Sequence, residues 1–145
     1  MTATDVSEAM LGFGHAKAGE TGNITFQRCD VAEAPDGPFD VVMAFNLVHL
    51  IPDTDAALAQ IHTRLTPGGL FISKTPCNPQ RRAPLGYRLL RLAIPVLQLV
   101  GKAPFVKFMD VSAWDAKVTT AGFEIIEAGN HPAHPPSRYL VARKV

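Results

Sequence analysis

The chain reads as an α/β domain built on a mainly parallel sheet. Three observations predict this. Stretches of strand period and helix period alternate along the sequence, and recognisable helix starts and stops punctuate that alternation. In addition, FDVVMAFNLV (39–48) is an almost unbroken apolar run, as expected of a strand covered by helices on both faces. With 145 residues and 47% hydrophobic content the chain can form one core, burying roughly 68–70% of its unfolded surface.

Each element has a local cause. Thr2–Asp5 reads as the end of a strand with a carboxylate at its tip. Ser7 is a good N-cap and Glu8 suits the positive end of a helix, which carries Met10, Leu11, Ala16 and Ala18 and stops at Gly19–Gly22. In ITFQRC (24–29) the alternation of Ile24 and Phe26 with Thr25 and Gln27 predicts a half-buried strand. Pro52–Asp53 opens a helix with Leu58, Ile61 and Leu65 on one face, and Pro67–Gly68–Gly69 is read as its stop. LFISKT (70–75) is the next strand, and 76–86 is a Pro- and Arg-rich loop. Residues 85–102 are helical by pattern, broken at Pro95, and fall within an expected helical insert over 78–108. Ser112 and Asp115 resemble a capping box for a helix bearing Trp114, Val118 and Ala121, ended by Gly122. FEIIEAG (123–129) and RYLVARKV (138–145) are the last strands.

Composition excludes several classes. Fourteen basic and thirteen acidic residues leave a net charge of +1, without the basic face a nucleic-acid partner requires. Cys29 and Cys77 are far apart and form no C-x-x-C pair, which favours buried thiols in a reducing compartment over a disulfide framework. The chain opens with no signal-peptide pattern, and Leu89–Val100 is interrupted by Arg91, Pro95 and Gln98, short of a membrane span. A cytoplasmic location is expected. The two histidines of HPAHPP (131–136) lack the further ligands of a metal site and read as a solvated loop. Arg81, Arg82, Arg88 and Arg91 give the insert a basic side, read as the rim of a lid over a substrate pocket and, as the alternative, as a membrane-surface contact.

In open parallel sheets, ligands bind beyond the carboxyl ends of the strands, which here carry Asp5, Asp30, Asn46 and Lys74–Thr75. Two carboxylates on successive strand tips suit a nucleoside: one accepts the ribose hydroxyls, the other an exocyclic amino hydrogen of adenine. An aspartate in that place also caps the helix after it, so Asp5 has two readings.

TDVSEAML, QRCDVAEAP, FDVVMAFNLVHLIPD and LTPGGLFISKTP, in this order and spacing, resemble the class I S-adenosylmethionine-dependent methyltransferases. The resemblance runs from residue 1 to about 76, and AGFEIIEA continues it towards the end of the chain. It implies a Rossmann-like methyltransferase sheet, mostly parallel with an antiparallel last strand, and S-adenosyl-L-methionine as cofactor. Asp5 falls where the family grips the ribose hydroxyls and Val6 where an apolar side chain packs on adenine. Asp30 falls at the adenine amino group, with the backbone of Val31 beside the ring, and Asn46 lies against the methionine part. His49 lies in the segment bordering cofactor and substrate. It reads either as a general base for an oxygen or nitrogen acceptor or as a packing histidine. Tyr87 and Arg91, in the insert, are the expected contacts to a small-molecule substrate.

The family's glycine-rich turn stands about 20 residues before the ribose acid. Counting back from Asp5 passes Met1, and GFGHAKAG (12–19) follows no strand. The resemblance therefore implies a single, incomplete domain over 1–145, lacking the first βα unit, whose exposed sheet edges favour self-association. The leading expectation is methyl transfer to a small molecule. The alternatives are a non-catalytic remnant acting as a binding domain and, third, a nicotinamide-dependent oxidoreductase.

Overall fold

The strands and helices expected from the sequence assemble into two compact units, Met1–Asp36 and Gly37–Val145. The computed structural model describes residues 1–19, 22–79, 86, 89, 93 and 105–145. Tyr87, Arg91 and most of the 78–108 insert lie outside the described residues.

In the first unit, β1 (Thr2–Asp5) and β2 (Thr25–Arg28) pair in parallel, with Asp5 opposite Arg28. They are joined through α1 (Glu8–Ala18), whose N-cap is Ser7, with Oγ accepting the Met10 amide at 3.4 Å. The cap and the glycine stop at Gly19 follow the sequence signals. No side chain of α1 is buried. This helix is held by its caps and by edge contacts such as the His15 and Phe26 rings, 4.0 Å apart, with little core beneath it.

The second unit is a four-stranded sheet in the order β3-β4-β6-β5, from β3 (Phe39–Phe45), β4 (Leu65–Pro76), β5 (Phe123–Asn130) and β6 (Ser137–Lys144). β3 and β4 are parallel, and β6 runs antiparallel to both β4 and β5, as the resemblance implied. One face is covered by α2 (Thr54–Arg64) and α3 (Val111–Thr120), tied side by side by an ion pair between Lys117 and Asp55 at 2.6 Å. The core on this face holds Leu58, Phe71, Trp114, Val118, Phe123 and Leu140, each at most 2% exposed.

Three expectations need correction. The β3 run is not covered on both faces: Val41, Met43 and Phe45 are 45%, 51% and 53% exposed, because both helices lie on the other side. The stop read at Pro67–Gly68–Gly69 falls inside β4, which begins directly at buried Leu65 after α2 ends at Arg64. Gly68 at φ +75° permits the irregularity, and the β3–β4 register shifts there, between Phe39 and Val41. Finally, α3 is capped by Asp110, not by Ser112, and makes no side-chain cap hydrogen bond. Asp115 lies inside the helix and binds Arg138 on β6 with two hydrogen bonds, one from Nε at 3.0 Å and one from Nη2. A charged partner in the sheet outcompetes the local box.

Candidate functional site

The first unit brings Val6 and Asp30 to one pocket of about 250 Å³, lined also by Arg28, Cys29 and Glu33. Cys29 is buried and Val6 is 62% exposed. The Arg28 side chain is steered by its Nε donating to the Val6 carbonyl at 3.1 Å and by Glu8 at 3.8 Å. Asp5 stands at the tip of β1, and its Oδ1 accepts the Ser7 amide at 2.8 Å. Asp30 Oδ1 accepts the amides of Ala32 and Glu33 at 2.7 and 3.0 Å. The turn-fixing reading of these aspartates therefore holds, and it leaves one oxygen of each carboxylate unused. Each uses one oxygen to fix the turn after its strand, and its Oδ2 makes no hydrogen bond among the described residues. A carboxylate anchored in this way presents its free oxygen in a fixed direction without immobilisation at the moment of binding.

In the second unit, Asn46 follows β3 at φ +53°, a left-handed conformation that asparagine tolerates better than most residues. Its amide donates to the Lys74 carbonyl at 2.8 Å, extending the ladder by one bond before the chain turns. A short 3-10 turn, Val48–Leu50, follows with Val48 buried. The His49 carbonyl accepts the Lys107 amide at 2.7 Å, and its ring stacks on Phe108 at 6.1 Å and 12°. His49 Nδ1 is buried without a hydrogen-bond partner among the described residues. Burial holds its pKa below the ordinary 6.5, so the neutral ring, which can accept a proton, persists to lower pH. Segment 105–110 is further fixed by Asn78, whose backbone amide donates to the Met109 carbonyl at 2.9 Å and whose side-chain amide donates to Asp110 at 2.9 Å.

Both cysteines are free and buried. Burial raises the Cys77 pKa, opposed by a backbone hydrogen bond from Arg138, so its thiol is a packing group. No cluster of metal-ligating side chains occurs among the described residues, and no helix among them is long and apolar enough to cross a membrane.

Residues 1–69 match the family described as "Methyltransferase domain". The fold agrees. An S-adenosylmethionine-dependent methyltransferase from Mesorhizobium loti superposes with a TM-score of 0.73 at 20% identity, over 99% of this chain and 80% of that one. The first 69 residues thus resemble the methyltransferase-domain family, and the chain has the fold of a methyltransferase. Within its sequence relatives, the ubiquinone/menaquinone biosynthesis C-methyltransferase UbiE of Methylobacterium nodulans is 33% identical over 76 residues, 50% of this chain and 30% of that protein. The squalestatin hexaketide synthase of a Phoma species is 27% identical over 129 residues, 85% of this chain and 5% of that protein. The chain thus spans less than a third of the curated relatives it matches.

The sequence alone did not single out Arg28, Cys29 and Glu33 as pocket residues, or Phe108 as the partner of His49. The first three flank Asp30 in QRCDVAE, so proximity along the chain was an available signal. Phe108 lies far from His49 in sequence, and no local pattern joins them.

Proposed function

We propose that this domain binds S-adenosyl-L-methionine and transfers its methyl group to a small-molecule acceptor. The observation that carries the reading is the pair of aspartates at the tips of β1 and β2. Each has one carboxylate oxygen fixed by backbone amides, and Asp30 lies beside a pocket with an apolar wall at Val6. That donor set fits an adenosine: Asp5 accepts the ribose hydroxyls, Asp30 the adenine amino group, while Val6 and the Val31 backbone flank the ring. Asn46 faces the methionine part. The cofactor supplies a methyl group already activated on a sulfonium, so the protein's task is alignment more than bond polarisation.

His49, kept neutral by burial and stacked on Phe108, removes the acceptor proton. Tyr87 and Arg91 contribute to acceptor affinity from the insert. The ubiquinone/menaquinone biosynthesis C-methyltransferase among the relatives favours a carbon acceptor.

Asp5→Ala is expected to weaken S-adenosylmethionine binding by about 1.5–3 kcal/mol, the value of charged hydrogen bonds. The fold survives, since Asp5 is at a strand tip and outside the core. The measurement is calorimetric titration of the chain extended ahead of Met1 by a strand and glycine-rich turn, for the reason argued in the Discussion. Unchanged affinity in a folded variant removes Asp5 from the site. One observation favours a second reading, a binding domain without catalysis: the exposed apolar side of β3 at Val41, Met43 and Phe45. Turnover by the extended chain excludes it.

A further inference from the structure

The face of the second unit's sheet that α2 and α3 leave uncovered is not uniform. Strand register places its side chains in rows, because residues directly opposite across adjacent strands share a face. One row is Met43–Ile72–Val141, apolar across three strands and ended by Glu127 on β5. The next, at the carboxyl ends of β3 and β4, is Phe45–Lys74–Tyr139, continued by Gly129 on β5. Gly129 leaves a gap that the His131 imidazole fills: a β-carbon added there would lie 2.6 Å from His131 Nε2. An aromatic ring, an ammonium, a phenol and an imidazole therefore stand side by side across four strands.

Lys74 gives the row its meaning. It is half-buried on an interior strand, and its ammonium has no carboxylate partner among the described residues. On this face Glu127 lies one row away and two strands over and forms no ion pair with Lys74, while Arg143 and Glu124, two rows away, are paired with each other at 3.7 Å. Neighbouring strands are roughly 4.8 Å apart, so the Tyr139 and Phe45 side chains border Lys74 on its two sides. A half-buried cation flanked by aromatic walls and hydrogen-bond donors complements an apolar molecule carrying one anionic oxygen group. Its place at the carboxyl ends of parallel strands is where sheets of this kind take ligands.

We infer that the Phe45–Lys74–Tyr139–His131 row binds the anionic oxygen of an apolar, flat acceptor, with Lys74 as the charge partner and Phe45 as the stacking surface. This rests on the methyl-transfer reading for the word acceptor; the anion site itself does not.

The probe is 2-naphthoate, with neutral 2-naphthamide as its counterpart, titrated into the 145-residue chain by calorimetry. The carboxylate is expected to bind about tenfold tighter than the amide, the lower end of a charged hydrogen bond's value. Lys74→Met should bring the two affinities together, Lys74→Arg should keep the preference, and Phe45→Ala should weaken both probes alike. Lys117→Met, which removes a lysine on the helix-covered side, should leave the preference intact. Circular dichroism confirms that each variant is folded. Equal binding of the two probes by the native chain, or a preference that survives Lys74→Met, overturns the inference. S-adenosylmethionine titration of the extended chain is read separately. If it fails while the naphthoate preference holds, the methyl-transfer reading falls and the anion site stands.

Discussion

Trp114→Ala is expected to cost about 3–5 kcal/mol, the range for truncating a large core aromatic. Trp114 is 0% exposed and sits in α3 among the largest fully buried side chains of the second unit. A domain's net stability is only ~5–15 kcal/mol, so this one change consumes much of it. The effect comes from lost volume. Trp114 Nε1 makes no hydrogen bond among the described residues, so Trp114→Phe keeps most of the packing and gives up no polar partner. Urea unfolding followed by circular dichroism should show a large drop in midpoint for alanine and a small one for phenylalanine. Equal losses for the two variants would mean that the indole nitrogen has a role that the packing argument misses.

The second large effect concerns the open edge of β3. Among the described residues β3 pairs only with β4, and β1 only with β2. An apolar edge strand left open recruits another chain. We expect the 145-residue chain alone to associate through these edges and to bind S-adenosylmethionine poorly. Fusing a strand and a glycine-rich turn ahead of Met1 should give a monomer with micromolar-class binding. Size-exclusion chromatography and a cofactor titration of the two chains decide the matter. Tight binding and turnover by the unextended chain would show that the edges need no further strand.

The alternation of strands and helices was legible because it rests on local periodicity and on caps such as Ser7 and Asp53, both of which act as caps in the structure. The strand-tip aspartates were legible for the same reason. What escaped depended on distant partners. The Ser112–Asp115 pattern fitted a capping box, yet Asp115 finds Arg138 on another strand. The apolar run of β3 shows a side ready to be covered and cannot show whether a helix covers it. Pro67–Gly68–Gly69 stops many helices, but buried Leu65 had already carried the chain into β4. The Lys74–Tyr139 row needs the antiparallel register of β4 and β6, which no single segment encodes.

The bareness of α1 has a further consequence. Cys29 is the one buried side chain among the described residues of Met1–Asp36, and a segment this short sits below the ~40 residues at which a core usually sustains itself. The half proposed to hold the nucleoside is therefore the loosely knit half. A ligand that binds only the ordered form adds RT ln(1 + [L]/Kd) to its stability. Limited proteolysis should accordingly clip the chain first ahead of Gly37, and saturating S-adenosylmethionine should slow that cut in the extended chain. The cofactor would then serve as a scaffold, a stand-in for the hydrophobic interior that these thirty-six residues do not possess.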